Sequence, residues 1–381
     1  MGSLEEYRAQ LDEIDREIVR LYEQRMQVSE EVAEYKIANG RTVLDRQREQ
    51  EKLRAVESMV WDERNRLGAR ELFEQLMSSS RKRQYQMMSE QGAQMQSAFT
   101  QVASLTGQDT RVVFQGAAGS YSEAAMKNFF GESVESFGVE TFRDAMISIE
   151  EGAADYAVLP IENSTAGIVS ENYDLLVEFE NYIVGEQIIR IEHCLMSVPG
   201  ADLDGIKRVY SHPQSLAQSE RFLQEHLSWQ QIGMKNNAFA AQKVASEKDP
   251  SQAAIASAYA AKAYGLEILL CGVNQSSSNS TRFIIVSPRK IFTENADKIS
   301  LCVEIAHESG ALYHLLSHII YNGLNMVKIE SRPIEDRSFE YRFFIDFEGK
   351  LTDPAVRSAL RGIREEARHM RILGCYQSAR K

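Results

Sequence analysis

Two cations sit where apolar residues belong. Along the first expected helix the apolar positions step in threes and fours: Leu4, Tyr7, Leu11, Ile14, Ile18, Leu21, then Arg25, then Val28, Val32 and Tyr35. That is the spacing of a single helical face. A guanidinium set into such a seam loses hydration and needs an anion to compensate it. Lys36 follows eleven residues later, three turns on and almost on the same face. Either Arg25 pairs with a carboxylate of another helix while Lys36 snorkels from a helix end, or both receive an anionic ligand. On the second expected helix Asp45, Arg48 and Glu49 share a face at i, i+3 and i+4. On the third, Leu72, Phe73, Leu76 and Met77 give way to Ser80 and Gln84 without leaving the stripe. Salt-bridge decoration accounts for Asp45, Arg48 and Glu49. It does not account for Arg25, Ser80 and Gln84, which replace core residues. This region holds no histidine and no cysteine, so its chemistry reduces to positioning and electrostatic stabilisation.

A second set of polar residues lies further on, in Gly116-Ala117-Ala118-Gly119-Ser120-Tyr121-Ser122, Pro160-Ile161-Glu162-Asn163-Ser164, Ser211-His212-Pro213-Gln214 and Ser280-Thr281-Arg282-Phe283. Singly each has a plain structural reading. The first is a glycine turn with Ser122 as helix N-cap, the second a strand end, the third a turn, the fourth a strand start. No Walker-type lysine follows the glycines, which argues against a nucleotide loop. The seven histidines form no liganding pattern with cysteine or carboxylate, so no metal and no organic cofactor is expected.

The elements that must position these groups fall into three modules within 381 residues. Three proline-free helices are expected over 4–38, 46–64 and 69–97, punctuated by Gly40 and Gly68. The first would run about 50 Å, too long for so small a module to cover, so two chains entwined as a helical dimer would bury the seam. Residues 89–109 read as a linker. From Thr110 to 288, short β-rich runs alternate with helices: Arg111–Phe114, a helix from near Ser122, Tyr156–Leu159 ending at Pro160, Val209–Ser211 and Phe283–Val286. The last module, 298–377, reads strand–helix–strand–strand–helix–strand, the ferredoxin-like order. A net charge of −12 argues against general nucleic-acid binding. The four cysteines, widely spaced, read as reduced thiols. With neither a signal-like start nor an apolar run of about 20 residues, a cytoplasmic protein without membrane contact is expected.

Residue type by residue type and in spacing, Arg8, Arg25, Lys36, Asp45, Arg48, Glu49, Ser80 and Gln84 resemble the all-helical class of chorismate mutases. The resemblance implies a Claisen rearrangement of chorismate to prephenate. Arg25 and Arg8 would hold the two carboxylates, Lys36 and Gln84 would donate to the ether oxygen, Arg48 would help with a carboxylate, and Glu49 would orient the ring hydroxyl. Arg8 lies 17 residues before Arg25, roughly 25 Å along one helix, so it should serve a partner chain's site.

The four polar segments, jointly and in order, resemble prephenate dehydratases over roughly 110–288, with a two-lobed fold like type II periplasmic binding proteins. The departure is Ala117, where many relatives carry proline. By that resemblance prephenate loses its ring hydroxyl and a carboxylate to give phenylpyruvate. Thr281 would be the essential residue, bonding or protonating the leaving oxygen. A threonine hydroxyl is a poor acid, so Glu162 or His212 is needed as a proton source behind it. Asn163, Ser164 and Gln214 would contact substrate and Arg282 a carboxylate, with Ser122 and Phe283 completing the site. Gly310-Ala311-Leu312 and Glu330-Ser331-Arg332-Pro333 resemble the phenylalanine-binding motifs of an ACT domain, and Leu373–Tyr376 its last strand. Tyr313 stands where relatives carry a small aliphatic residue; it either fills part of the pocket or faces outward.

Together the modules resemble a bifunctional chorismate mutase–prephenate dehydratase of phenylalanine biosynthesis, a homodimer or higher oligomer feedback-inhibited by L-phenylalanine. The competing readings are a non-enzymatic cytosolic amino-acid sensor and a dehydratase whose helical module only dimerises.

Overall fold

The computed structural model describes residues 2–90, 98–107, 109–276, 278–335 and 337–379. The chain divides into two compact units, Met1–Ser97 with Ile299–Ile372 and Ala98–Lys298 with Leu373–Lys381. The sequence suggests three modules in a row, yet the first and last pack as one body. No helix among the described residues is long and apolar enough to cross a membrane.

In the first unit, helix α1 (Leu4–Ala38) opens with a capping box in which Ser3 and Glu6 satisfy each other's backbone N–H groups. It ends before Gly40, whose φ of 63° favours a residue without a side chain. Asp45 caps α2 (Arg46–Met59) by accepting from the Arg48 N–H. The second helix ends at Met59, short of the expected 64, and a 3-10 turn leads into α3 (Arg66–Glu90). Gly68 therefore does not punctuate the chain: it lies in the first turn of α3, and the break falls earlier, at Val60–Asp62. Of the extension of this helix to 97 and the linker over 89–109, residues 91–97 and 108 lie outside the described residues. Within the same span Thr100–Val102 is a strand paired parallel with Ile291–Thr293.

Only Ser29 and Ala33 of α1 are buried. The whole apolar seam faces outward in the single chain, with Leu11 58%, Ile14 55%, Ile18 51% and Val28 57% exposed. The C-terminal module of this unit places its strands in the spatial order Met326–Ile334, Arg337–Glu348, Lys298–Glu304, His369–Tyr376, with helices Ala311–Tyr321 and Pro354–Glu366 between them in sequence. That is the expected order of elements. Helix Pro354–Glu366 packs on α3.

Besides the short Thr100–Val102/Ile291–Thr293 pair, the described residues of the second unit form two larger sheets. One orders Tyr182–Arg190, Ser280–Ser287, Tyr156–Asn163, Arg111–Gln115 and Glu135–Val139 around Val112, Phe114, Val158, Val184 and Ile285. The other orders Glu267–Cys271, Cys194–Ser197, Gln252–Ala256, Arg208–Ser211 and Gln230–Gly233.

Three local expectations change here. The Tyr156 strand does not end at Pro160 but continues to Asn163. Proline lacks a ladder N–H, and the strand absorbs it as a register shift opposite Arg282 and Phe283. Ser120, not Ser122, caps helix Tyr121–Phe130 by accepting from the Glu123 N–H. The four cysteines are not all thiols: Cys194 and Cys271 lie directly opposite on antiparallel strands, Cα atoms 4.1 Å apart, and are joined as a disulfide. Cys302 and Cys375 are buried thiols, and burial pushes the Cys302 thiol up to about 12.

Candidate active sites

In the helical module a groove of about 530 Å³ is lined by Leu21, Gln24, Arg25, Val28, Ser29, Val32, Ser80 and Gln84. The guanidinium of Arg25 donates to the Leu76 carbonyl at 2.8 Å and to Ser80 Oγ. Lys36 donates to the Val43 carbonyl at 2.6 Å. Among the described residues neither cation is ion-paired. Their partners are neutral oxygens, which excludes the carboxylate pairing that the sequence leaves open for Arg25. Burial lowers both from their ordinary values, against the raising field of Glu49. Partly buried cations without a counter-charge favour an anion. Gln84 is 6% exposed and donates to Ser29 Oγ at 3.1 Å, while its Oε1 has no partner.

The other members of the expected set do not share this groove in the single chain. Asp45 is occupied as an N-cap, and Arg48 is exposed, 3.7 Å from Glu51. Arg8 is exposed on the far part of α1. Glu49 turns to Arg81, whose Nη1 meets its two oxygens at 2.5 and 2.6 Å. Sequence reading missed Arg81. The signal was present: a charged residue beside Ser80, on a helix whose neighbouring positions are core.

In the second unit the register shift at Pro160 brings Asn163 opposite Thr281. Asn163 Nδ2 donates to Thr281 Oγ1 at 2.9 Å and to Asn279 Oδ1 at 2.7 Å. Asn279 donates to Gln218, Gln218 reaches Thr165 Oγ1 at 3.1 Å and His193 Nε2 at 3.0 Å, and His193 Nδ1 meets Tyr121 Oη at 3.1 Å. Burial lowers the His193 pKa, keeping the ring neutral. Ser164 is held by Ser280, accepting its N–H at 3.0 Å. Across the cleft Gly119 lies so close to Ala260 that a Cβ would fall 2.4 Å from its Cα. Ser257 Oγ donates to the Gly119 carbonyl at 2.6 Å. Ser122 lines a small cavity there with Tyr121, Asn236, Asn237 and Ser257.

Several expected site residues fall elsewhere, because neighbours along a strand point to opposite faces. Arg282 donates to Glu162 at 2.6 Å and lies 3.6 Å from Glu186. Glu162 is thus an ion-pair partner on the face away from Thr281, which removes it as the proton source behind that residue. Phe283 is 2% exposed and belongs to the apolar core. Gln214 is exposed, and the glutamine one turn later on the same helix face, Gln218, joins the network instead. His212 caps its helix, Nδ1 accepting from the Gln214 N–H at 3.2 Å, and burial lowers its pKa.

In the C-terminal module a cavity of about 440 Å³ is lined by Ile305–Tyr313, Glu340, Tyr341 and Phe343. Gly310 there has φ 82° and the Ala311 helix lacks a side-chain cap. Tyr313 is 55% exposed on the rim. Glu330, Ser331, Arg332 and Pro333 do not line this cavity. They lie on the edge strand of the module's sheet, with Ser331 opposite Phe343.

The helical module thus holds a groove around Arg25 and, three turns further along α1, Lys36 on a neutral oxygen, and the second unit holds a cleft built around a threonine. The comparisons agree on their class: residues 7–85 match the family of type II chorismate mutases and residues 112–291 that of prephenate dehydratases. The bifunctional chorismate mutase/prephenate dehydratase of Escherichia coli K12 is 31% identical over 378 residues, covering 97% of this chain and 95% of its own. Among solved structures, a prephenate dehydratase from Arthrobacter aurescens in complex with L-Phe is 31% identical with a TM-score of 0.66, over 71% of this chain and 90% of that one. GqqA, described as a quorum quenching acylase, is 32% identical with a TM-score of 0.65, over 71% of this chain and 98% of that one. The chain belongs to the family of bifunctional chorismate mutase/prephenate dehydratases.

Proposed function

We infer that this chain catalyses two consecutive reactions of phenylalanine biosynthesis, the rearrangement of chorismate to prephenate and the conversion of prephenate to phenylpyruvate, water and carbon dioxide. The observation that carries the first is the pair of cations bonded only to neutral oxygens, Arg25 and Lys36. A pericyclic reaction needs no nucleophile, and fixed positive charge can stabilise a developing oxyanion without reorganisation. Arg25 holds a carboxylate, while Lys36 and Gln84 serve the ether oxygen. Glu49, Asp45, Arg48 and Ser80 complete the site, together with Arg8 of a second copy.

The outward seam of α1 supports that second copy. So continuous an apolar face on a 35-residue helix is what two entwined chains would cover. The dehydration rests on Thr281, which hydrogen-bonds the leaving oxygen, with Asn163 and Ser164 fixing its surroundings. His212 remains the candidate proton source, and Gln214 a substrate contact from the second lobe.

The domains on this reading are a mutase over 1–88, a dehydratase over 110–288 whose lobes resemble those of type II periplasmic binding proteins, and an ACT domain over 298–377. L-phenylalanine is its effector, at the Gly310–Leu312 cavity closed in a dimer by a Glu330–Pro333 edge. The start of the Ala311 helix, which lacks a side-chain cap, suits a carboxylate. A cytoplasmic enzyme fits this substrate class. Purified protein given chorismate, followed for prephenate and then phenylpyruvate, tests both reactions at once. Prephenate without phenylpyruvate removes the dehydratase, phenylpyruvate only from added prephenate removes the mutase, and neither product leaves the sensor reading.

A further inference from the structure

Arg81 follows Ser80 on α3, but a step of one residue turns it about 100° around the helix, away from the Arg25 groove. Its side chain is 9% exposed. One end of the guanidinium takes both oxygens of Glu49, and Nη2 meets Glu366 Oε1 at 3.1 Å. The same Glu366 oxygen meets His318 Nε2 at 3.0 Å. Glu366 and Glu365 close the helix Pro354–Glu366 of the C-terminal module. Glu365 Oε2 accepts from the Leu44 N–H at 3.0 Å and from Tyr85 Oη at 2.8 Å, and Arg46 donates to the Glu366 carbonyl at 3.1 Å.

The chain between Val43 and Glu49 is therefore fastened to the C-terminal module at Leu44, at Arg46 and, through Arg81, at Glu49. That stretch carries Asp45 and Glu49, and its Val43 carbonyl holds Lys36. Exposed ion pairs fix little. This one is buried, and burial, which would raise the Glu366 carboxyl, is overcome by His318 and Arg81, holding it at about 2. Losing one member of such a pair leaves its partners undercompensated and free to shift.

We propose that Glu366 is a positioning residue of the chorismate mutase site, acting through Arg81 to fix Glu49, so that the C-terminal module forms part of the mutase scaffold. The inference rests on the reading that Glu49 belongs to that site. The test is a double-mutant cycle on the full chain with E366A, E49Q and the pair, measuring kcat and KM for chorismate and, separately, turnover of added prephenate.

If Glu366 works through Glu49, E366A lowers kcat on the order of tenfold or more, as an ångström-scale misplacement can. KM moves less, and E366A adds nothing in the E49Q background. Prephenate turnover stays at the wild-type level and reports an intact chain. E366Q, which keeps the acceptor without its charge, restores part of kcat and serves as the cycle member if E366A does not fold. A full effect of E49Q with no effect of the Glu366 variants, or with additive effects, overturns the inference and leaves the mutase site as read. An E49Q variant with wild-type chorismate turnover overturns the reading of the site itself, and the inference with it.

Discussion

Asn163 donates to Thr281 Oγ1 at 2.9 Å while its own Oδ1 accepts the N–H groups of Thr165 at 3.0 Å and Ala166 at 2.9 Å. Backbone amides only donate, so the bonded atom is the carbonyl oxygen and the atom facing Thr281 is the amide nitrogen. Thr281 enters that bond as an acceptor, and its hydrogen remains for another acceptor. On the proposed reading that acceptor is the departing ring oxygen of prephenate.

The Thr281→Val variant keeps shape and burial but removes this hydrogen. Phenylpyruvate formation should collapse, and prephenate should accumulate from chorismate. Thr281→Ser should retain a measurable fraction. Near-normal phenylpyruvate release by the valine variant, read from its absorbance, sinks the role.

Arg25 and Lys36 should each matter to the mutase alone. Truncation to alanine is expected to cost about 3–4 kcal/mol of transition-state stabilisation, as for loss of an oxyanion donor, with dehydration of added prephenate unchanged. A chorismate turnover within a few-fold of wild type for either variant would show the helical site to be misassigned.

The pH dependence follows from the lowered Lys36 pKa, caused by burial. The ammonium is the useful form, so kcat/KM for chorismate should fall on the alkaline side before the ordinary lysine range near 10.5. Stability runs the other way. The unfolded chain binds the proton more tightly, so between the lowered value and 10.5 the contribution of Lys36 to stability rises with pH. Lys36→Arg, charged throughout, should move the alkaline fall in activity upward. An unchanged profile in this variant would assign the fall to another group.

Ile14 is 55% exposed in the single chain, so Ile14→Glu should leave the monomer's fold intact. If a second copy covers the seam, the variant should sediment at a lower mass and lose mutase activity, since Arg8 no longer reaches a partner's groove. Wild-type mass together with wild-type activity contradicts both expectations.

Calorimetric titration with L-phenylalanine should show binding, and the dehydratase should be inhibited. Gly310, at φ 82°, is a poor probe, because any side chain there is strained whatever the ligand does. Ala311→Leu, which fills the cavity beside it, should abolish both signals. No heat and no inhibition at millimolar phenylalanine would reduce the C-terminal module to a scaffold.

What the sequence determined by itself is local and periodic. The seam of α1, the order of elements in the C-terminal module, and the polar interruptions at Arg25, Lys36, Ser80 and Gln84 follow from side-chain spacing, whereas Asn163 and Thr281 stand out through the family resemblance of their segments. Which of these groups meet was decided by the tertiary structure. Glu162 and Arg282 adjoin Asn163 and Thr281 in sequence, yet strand alternation turns them to the other face as a pair. The shift at Pro160 sets which residue lies opposite Thr281. Gln218 and His193 enter that network from distant segments, with no local pattern to mark them, joined to it through Asn279, two residues before Thr281. Cys194 and Cys271 read as separate thiols until antiparallel pairing placed them opposite each other, 77 residues apart. The bond from Arg81 to Glu366 spans 285 residues. Such contacts depend on how modules dock, and periodicity within a single element carries no record of its partner.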